Sequence, residues 1–270
     1  MRSFGDFEKT LLSIGIDYDH GRYRHSTAFL EHFDEFRELI NLAVFAVLTS
    51  SKSLTDQIQS AADELTTKRR DIGGNVKRAF SKEYDENFEY RLIYAFRNAS
   101  QHFQMPVSNF TLGGENQYQD RRNLNDTKSR LRTTVDPTIS VDPLEQNKKI
   151  NSKLRQELAD LGYPEIDLKY SLRKYVSSLT RVVLTFREQT EHLLTWSLLH
   201  LSSAEARLAV NAVQEEPKNA RIFFRSDGKV QDSFHIALST FKPISDLRLR
   251  WKNMQYAPRI YVSSEVVRRK

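Results

Sequence analysis

With 270 residues, 39% of them apolar, and 16 Phe and 11 Tyr, the chain can bury a substantial core, which excludes global disorder. It has no cysteine, so disulfides, thiolate zinc sites and cysteine nucleophiles are excluded together, and a reducing, cytoplasmic setting is expected. The formal charge of +6 is uneven: residues 1–220 carry 30 basic and 31 acidic groups, whereas residues 221–270 carry eleven against four.

The segment Met1–Asp6 lacks the apolar stretch of a secretory signal. From Phe29 the apolar positions Phe33, Phe36, Ile40, Ala43 and Val47 share one helix face, with Ser26 or Thr27 as N-cap and Ser50–Ser53 as the end. The run Leu42–Leu48 is the longest apolar stretch and falls far short of the ~20 residues of a membrane-spanning helix, so no membrane association is expected. A second helix is expected from Leu54 to Arg70, stopped by Gly73-Gly74, then a short piece from Val76 to Phe80. A third clear helix spans Asp85 to Phe103, striped by Phe88, Leu92, Phe96 and Ala99 and ended by Met105-Pro106.

Between Val107 and Asp142, glycine, asparagine and Asp136-Pro137 mark a polar insert, with short strands 131–135 and 138–141 around the Asp-Pro turn. Helix returns at Pro143–Leu161 and breaks at Gly162-Tyr163-Pro164. From Ile166 a pattern of Leu168, Leu172, Tyr175, Leu179, Val182 and Phe186 runs on without glycine or proline before Pro217, the natural spine of a bundle. Beyond it, 222–224 and 234–238 around Asp227-Gly228, and 259–262, read as strands. The expected fold is mainly α: an antiparallel bundle (1–215) with a β-hairpin or loop insert (107–142), and a small basic, mixed or β appendage (216–270).

Several chemistries fail on spacing. No Gly-rich phosphate loop, nucleophile elbow or Glu-x-x-His motif occurs. Asp17-Tyr18-Asp19-His20 with His25, and Glu188 with His192, gather ligand-type side chains, but surface polarity and an ordinary helix pair explain them better, so neither metal nor cofactor is expected. His200 and His32 lie on or beside apolar stripes and read as packed, hydrogen-bonded histidines.

The pointed segment is Arg97-Asn98-Ala99-Ser100-Gln101-His102, on a striped helix and followed by Pro106. Arginine, a polar residue and a histidine after four intervening positions resemble the signature of the HEPN superfamily, and the layout of bundle, polar insert and long return helix resembles it over about residues 26–200. The bland alternative is a solvated Arg97, a locally capping Asn98 and a His102 flanking the core. The resemblance implies a metal-independent endoribonuclease that cuts single-stranded RNA. In it His102 moves protons, Arg97 holds the phosphate, and Asn98 orients His102 or donates to the phosphate, leaving a 2′,3′-cyclic phosphate and a 5′-hydroxyl. Imidazole titrates near neutrality and guanidinium grips phosphate through a bidentate fork, so these residue types suit the chemistry.

On a regular helix Arg97 and His102 point ~140° apart, with Arg97 nearly opposite the apolar stripe. Either the helix distorts before Pro106 or two copies pool their residues; the resemblance implies the second, a homodimer with the two segments facing each other across one cleft. The basic patch Arg121, Arg122, Lys128, Arg130 and Arg132 would border that cleft and contact the RNA backbone, with Phe110 and Tyr118 as platforms for bases. A solvated loop explains the same patch. The resemblance further implies a toxin-antitoxin or antiviral-defence role with an antitoxin or defence partner protein. The alternatives are a catalytically silent helical module that binds a nucleotide or a protein, and a nucleic-acid-binding protein without catalysis.

Overall fold

A computed structural model describes residues 2–19, 28–100, 107, 109–117, 130–148, 150–211, 219–226, 228–237, 246–248 and 250–259. The first helix, α1 (Arg2–Asp19), is absent from the expectations above. Phe4, Phe7, Leu11 and Ile14 recur at helical spacing, are all buried, and dock α1 on the next helix. That helix, α2 (Ala28–Glu64), is one continuous element of 37 residues rather than two. The serines expected to end it are absorbed, since Ser50 and Ser51 each donate to the Val47 carbonyl, at 3.1 and 2.6 Å, inside the helix.

Gly73-Gly74 does not stop a helix but opens one, α3 (Ile72–Glu86). The Asp71 carboxylate accepts from the Gly74 N–H at 2.8 Å, a side-chain N-cap. A Cβ on Gly73 would lie 2.2 Å from Asp63 Oδ1 and 3.3 Å from its Cα, so glycine here lets the end of α2 lie against the start of α3. A break at Asn87, whose side chain donates to Glu83 Oε2 at 2.8 Å, separates α3 from α4 (Phe88–Ser100). The expected helix from Asp85 is therefore the tail of one helix and the body of the next.

The insert is also rearranged. Strands β1 (Asn109–Gln117) and β2 (Arg130–Ser140) pair antiparallel along their whole length, with Asn109 opposite Thr138 and Gln117 opposite Arg130. Asp136-Pro137 is not a turn; it lies within β2, opposite Phe110 and Thr111. Proline costs the sheet little there because β3 (Glu165–Asp167) covers only Thr138–Ser140 on the far side. The base of the hairpin belongs to the core, where Val107, Phe110, Val135, Ile139 and Val141 are buried.

Two short helices follow, α5 (Asp142–Glu145) and α6 (Ser152–Leu161), the latter closed by Gly162 in the left-handed conformation at φ 64°. The spine, α7 (Leu168–Asn211), has 44 residues and extends about 66 Å. Beyond it β4 (Asn219–Ser226) and β5 (Lys229–Ala237) form the expected hairpin. The third expected strand begins instead as the end of a 3₁₀ helix, Lys252–Arg259, which packs on α7; residues 260–262 lie outside the described part.

Buried and half-buried ion pairs tie the elements together. Arg173 of α7, 2% exposed, holds Glu8 of α1 in a fork of 2.7 and 2.8 Å. Arg181 of α7 holds Glu83 of α3, and Arg91 of α4 holds Glu157 of α6, also through two bonds each. The Asn41 amide, 3% exposed, accepts from the Val107 N–H at 2.7 Å and donates to the Val107 and Arg37 carbonyls, fixing the chain where it enters β1. Among the described residues no helix is long and apolar enough to cross a membrane.

Candidate functional site

Helix α4 carries the first two residues of the motif on its last turns. It is packed on more than one side, which the single stripe in its sequence does not convey: Leu92 and Phe96 are buried, and so are Tyr90, Ile93 and Arg97. The last three, spaced three and four apart, form a second inward face. Arg97 is therefore 4% exposed and turned toward α2 and α7, not away from the core as a one-sided helix would have it.

Its guanidinium lies 4.5 Å from the centre of the Tyr94 ring and donates to Asn98 Oδ1 at 3.0 Å from Nη2 and 3.3 Å from Nε. Asn98, exposed at the surface, thus orients Arg97. Residues 101–106 lie outside the described part, so His102 and its distance from Arg97 do too.

Arg97 borders a pocket of about 450 Å³ between α2, α3, α4 and α7. Lys52 and Thr55 come from α2, Phe80 and Tyr84 from α3, Tyr94 from α4 and Tyr175 from α7. The rings support one another: Tyr84 meets Tyr94 edge-on at 5.8 Å and Tyr90 edge-on at 6.5 Å, while Tyr90 and Tyr175 lie 5.2 Å apart. Burial pushes the Tyr175 hydroxyl up to about 12, against the opposing pull of the Arg97 charge and a hydrogen bond with Ser51. Burial also raises Tyr90, helped by Tyr175 and opposed by Arg97. Both phenols are therefore neutral near pH 7 and serve as hydrogen-bonding walls rather than bases. The rim carries the Arg97 guanidinium, the Lys52 ammonium, which is paired with Asp56, and the Asp85 carboxylate. A guanidinium beside aromatic rings suits an anion attached to a planar group.

Other expected site residues are placed differently. Phe110 is not a platform for bases: it is 2% exposed and stacks on Phe33 at 4.1 Å. Arg130 and Arg132 belong to β2 at the far end of the hairpin, opposite Gln117 and Glu115. Tyr118, Arg121, Arg122 and Lys128 lie outside the described residues, as do His20 and His25. Glu188 and His192 do share a groove on α7, but among the described residues no cluster of three or more His, Asp or Glu side chains could hold a metal. His200 is exposed rather than packed, with its ring 4.0 Å from that of Trp196 and Nδ1 3.0 Å from the Trp196 carbonyl. His32 pairs with Glu35 at 2.8 Å.

Sequence spacing does not reveal Tyr175 as a neighbour of Arg97, because it comes from α7, whereas Tyr90 lies seven residues before Arg97 on α4 itself. Asn41 left a fainter signal, a lone amide beside the apolar stripe Phe36, Ile40, Val44. Comparison with protein-family models, with curated proteins and with solved structures finds no match.

Proposed function

We propose that the chain is a metal-independent endoribonuclease of the HEPN type, acting on single-stranded RNA, with Arg97 and His102 as the catalytic pair and Asn98 as the residue that orients Arg97. The observation that supports this reading is the setting of Arg97: the motif's guanidinium is fixed by Asn98 and Tyr94 at the rim of a pocket that also carries Lys52. Phosphate held there by charge-assisted hydrogen bonds would be polarised for attack by the ribose 2′-hydroxyl, with His102 moving the proton. A second copy of the chain would supply the facing His102, and Arg121, Arg122, Lys128, Arg130 and Arg132 would contact the RNA backbone. A cytoplasmic toxin or defence role, held in check by a partner protein, belongs to the same reading.

The inward turn of Arg97 favours one other reading, a catalytically silent module that binds a nucleotide in the aromatic pocket. Incubation of single-stranded RNA in excess EDTA with wild type, Arg97→Ala and His102→Ala separates the two. Cleavage to cyclic-phosphate ends, lost in both variants, is the expected result. Absence of cutting by wild type, with nucleotide binding that survives His102→Ala and fails in Arg97→Ala, would select the silent module.

A further inference from the structure

A second pocket, of about 390 Å³, opens on the other side of α2. It is walled by Arg2 of α1, by Ser50 and Leu54 of α2, by Arg187 of α7, and by Arg250 and Trp251 from the segment before the 3₁₀ helix. Three arginines and a tryptophan thus line one cavity, and none of its lining side chains among the described residues is a carboxylate. Buried Arg91 and Arg173 are each matched with a glutamate, whereas this group of half-buried and exposed arginines has no carboxylate in its lining.

The cavity is held together by specific bonds. Arg187 and Arg248 cross-link, each donating to the other's backbone carbonyl. Arg187 also donates to the Arg250 carbonyl at 3.2 Å and the Leu247 carbonyl at 3.5 Å, and Arg248 reaches Glu191 at 2.9 Å. These bonds clamp the C-terminal segment onto α7 in a conformation that places Trp251 at φ 66°, where a bulky residue is strained. The strained turn sets the Arg250 guanidinium 5.3 Å from the centre of the Trp251 ring, at the cavity's edge. Burial, and then the neighbouring Arg248 charge, pull Arg187 below the ordinary arginine value, so an anion entering the cavity relieves a repulsion already present. Arg2 and Arg250 are exposed at the cavity, the Arg250 side chain lying over Trp251.

We infer that this cavity binds a nucleoside phosphate, with the phosphates against Arg2, Arg187 and Arg250 and the base against Trp251. Guanidiniums take phosphate oxygens in fork geometry, an indole face takes any nucleobase, and the volume falls within the range of small-molecule sites. The site is distinct from the Arg97 pocket, and its occupancy does not depend on RNA cleavage.

The chain has two tryptophans, Trp196 and Trp251, so a full-length Trp196→Phe protein leaves Trp251 as the only indole reporter. Its fluorescence is followed while ATP, adenosine and inorganic triphosphate are added separately, with calorimetry in parallel. ATP is expected to give a saturable change, about tenfold weaker in Arg2→Ala and in Arg250→Ala. Adenosine and triphosphate alone are each expected to bind at least about tenfold more weakly than ATP. Trp251→Phe, read by calorimetry, should keep most of the affinity because an aromatic face remains. No saturable response to ATP overturns the inference, as does equal affinity for adenosine or triphosphate. Affinity unchanged in both arginine variants, with folding verified by circular dichroism, overturns it too.

Discussion

Replacing Glu8 by alanine should loosen the docking of α1. In the wild type, Arg173 is 2% exposed and Glu8 is 14% exposed at the side chain, and two bonds of 2.7 and 2.8 Å join them. Removing one partner of such a pair leaves an uncompensated buried charge, at a cost of about 3–5 kcal/mol. Residual solvent at Glu8 places the loss near the lower end, ~3 kcal/mol, or about 6–12 °C in melting temperature for a chain of this size. Denaturant titration of Glu8→Ala, Arg173→Met and the double variant measures it. The double variant is expected to recover most of the loss, because the desolvated charge is then gone as well. Helix α1 also carries Arg2, so Glu8→Ala should weaken ATP binding at the second pocket while leaving the Arg97 pocket's residues in place. A Glu8→Ala protein within ~0.5 kcal/mol of wild type would refute the reasoning, because the pair would then carry no buried charge.

Tyr175 and Tyr90 keep their protons above the pH at which unfolded tyrosine ionises, near 10. Stability is therefore full below pH 10 and falls as pH rises toward the folded value of about 12 for Tyr175, since the unfolded chain gives up its protons first. Absorbance titration at alkaline pH should show late phenols that coincide with unfolding; ionisation of every tyrosine near pH 10 with the fold intact would contradict this. Gly74→Ala would place a Cβ 2.1 Å from Asp71 Oδ2 and expel the cap, so it and Asp71→Ala should each cost ~1 kcal/mol and not add, which a double variant checks. Asn41→Ala strips both polar groups of Val107 of their partner and should cost about 2–4 kcal/mol, measured by denaturation; a loss below ~1 kcal/mol would mean water replaces the amide.

Helices with a strong one-sided stripe, above all α7, were legible in the sequence, as were the β4–β5 hairpin and the mainly α class. What misled were residues whose meaning depends on tertiary partners. Ser50 and Ser51 look like a helix end until their hydroxyls are seen on the Val47 carbonyl. Gly73-Gly74 looks like a stop until Asp71 caps it, and Asp136-Pro137 looks like a turn until β1 pairs across it. In the candidate site, a family resemblance pointed to Arg97 and Asn98, but the inward turn of Arg97 was not legible, because a second buried face on α4 arises from α7, α3 and α2 packing around it. The basic excess after residue 220 was visible as composition; that Arg250 meets Arg2 and Arg187 was not, since three distant stretches of chain contribute.

The unbroken course of α2 has a mechanical consequence. Within two turns, Ser50, Ser53, Leu54 and Gln57 face one cavity while Lys52 and Thr55 face the other, so a single rod is the party wall of both chambers. A rod hydrogen-bonded throughout does not bend locally to suit one tenant; it rolls or slides as a piece. Any displacement of that rod as a piece therefore moves a wall of both chambers at once.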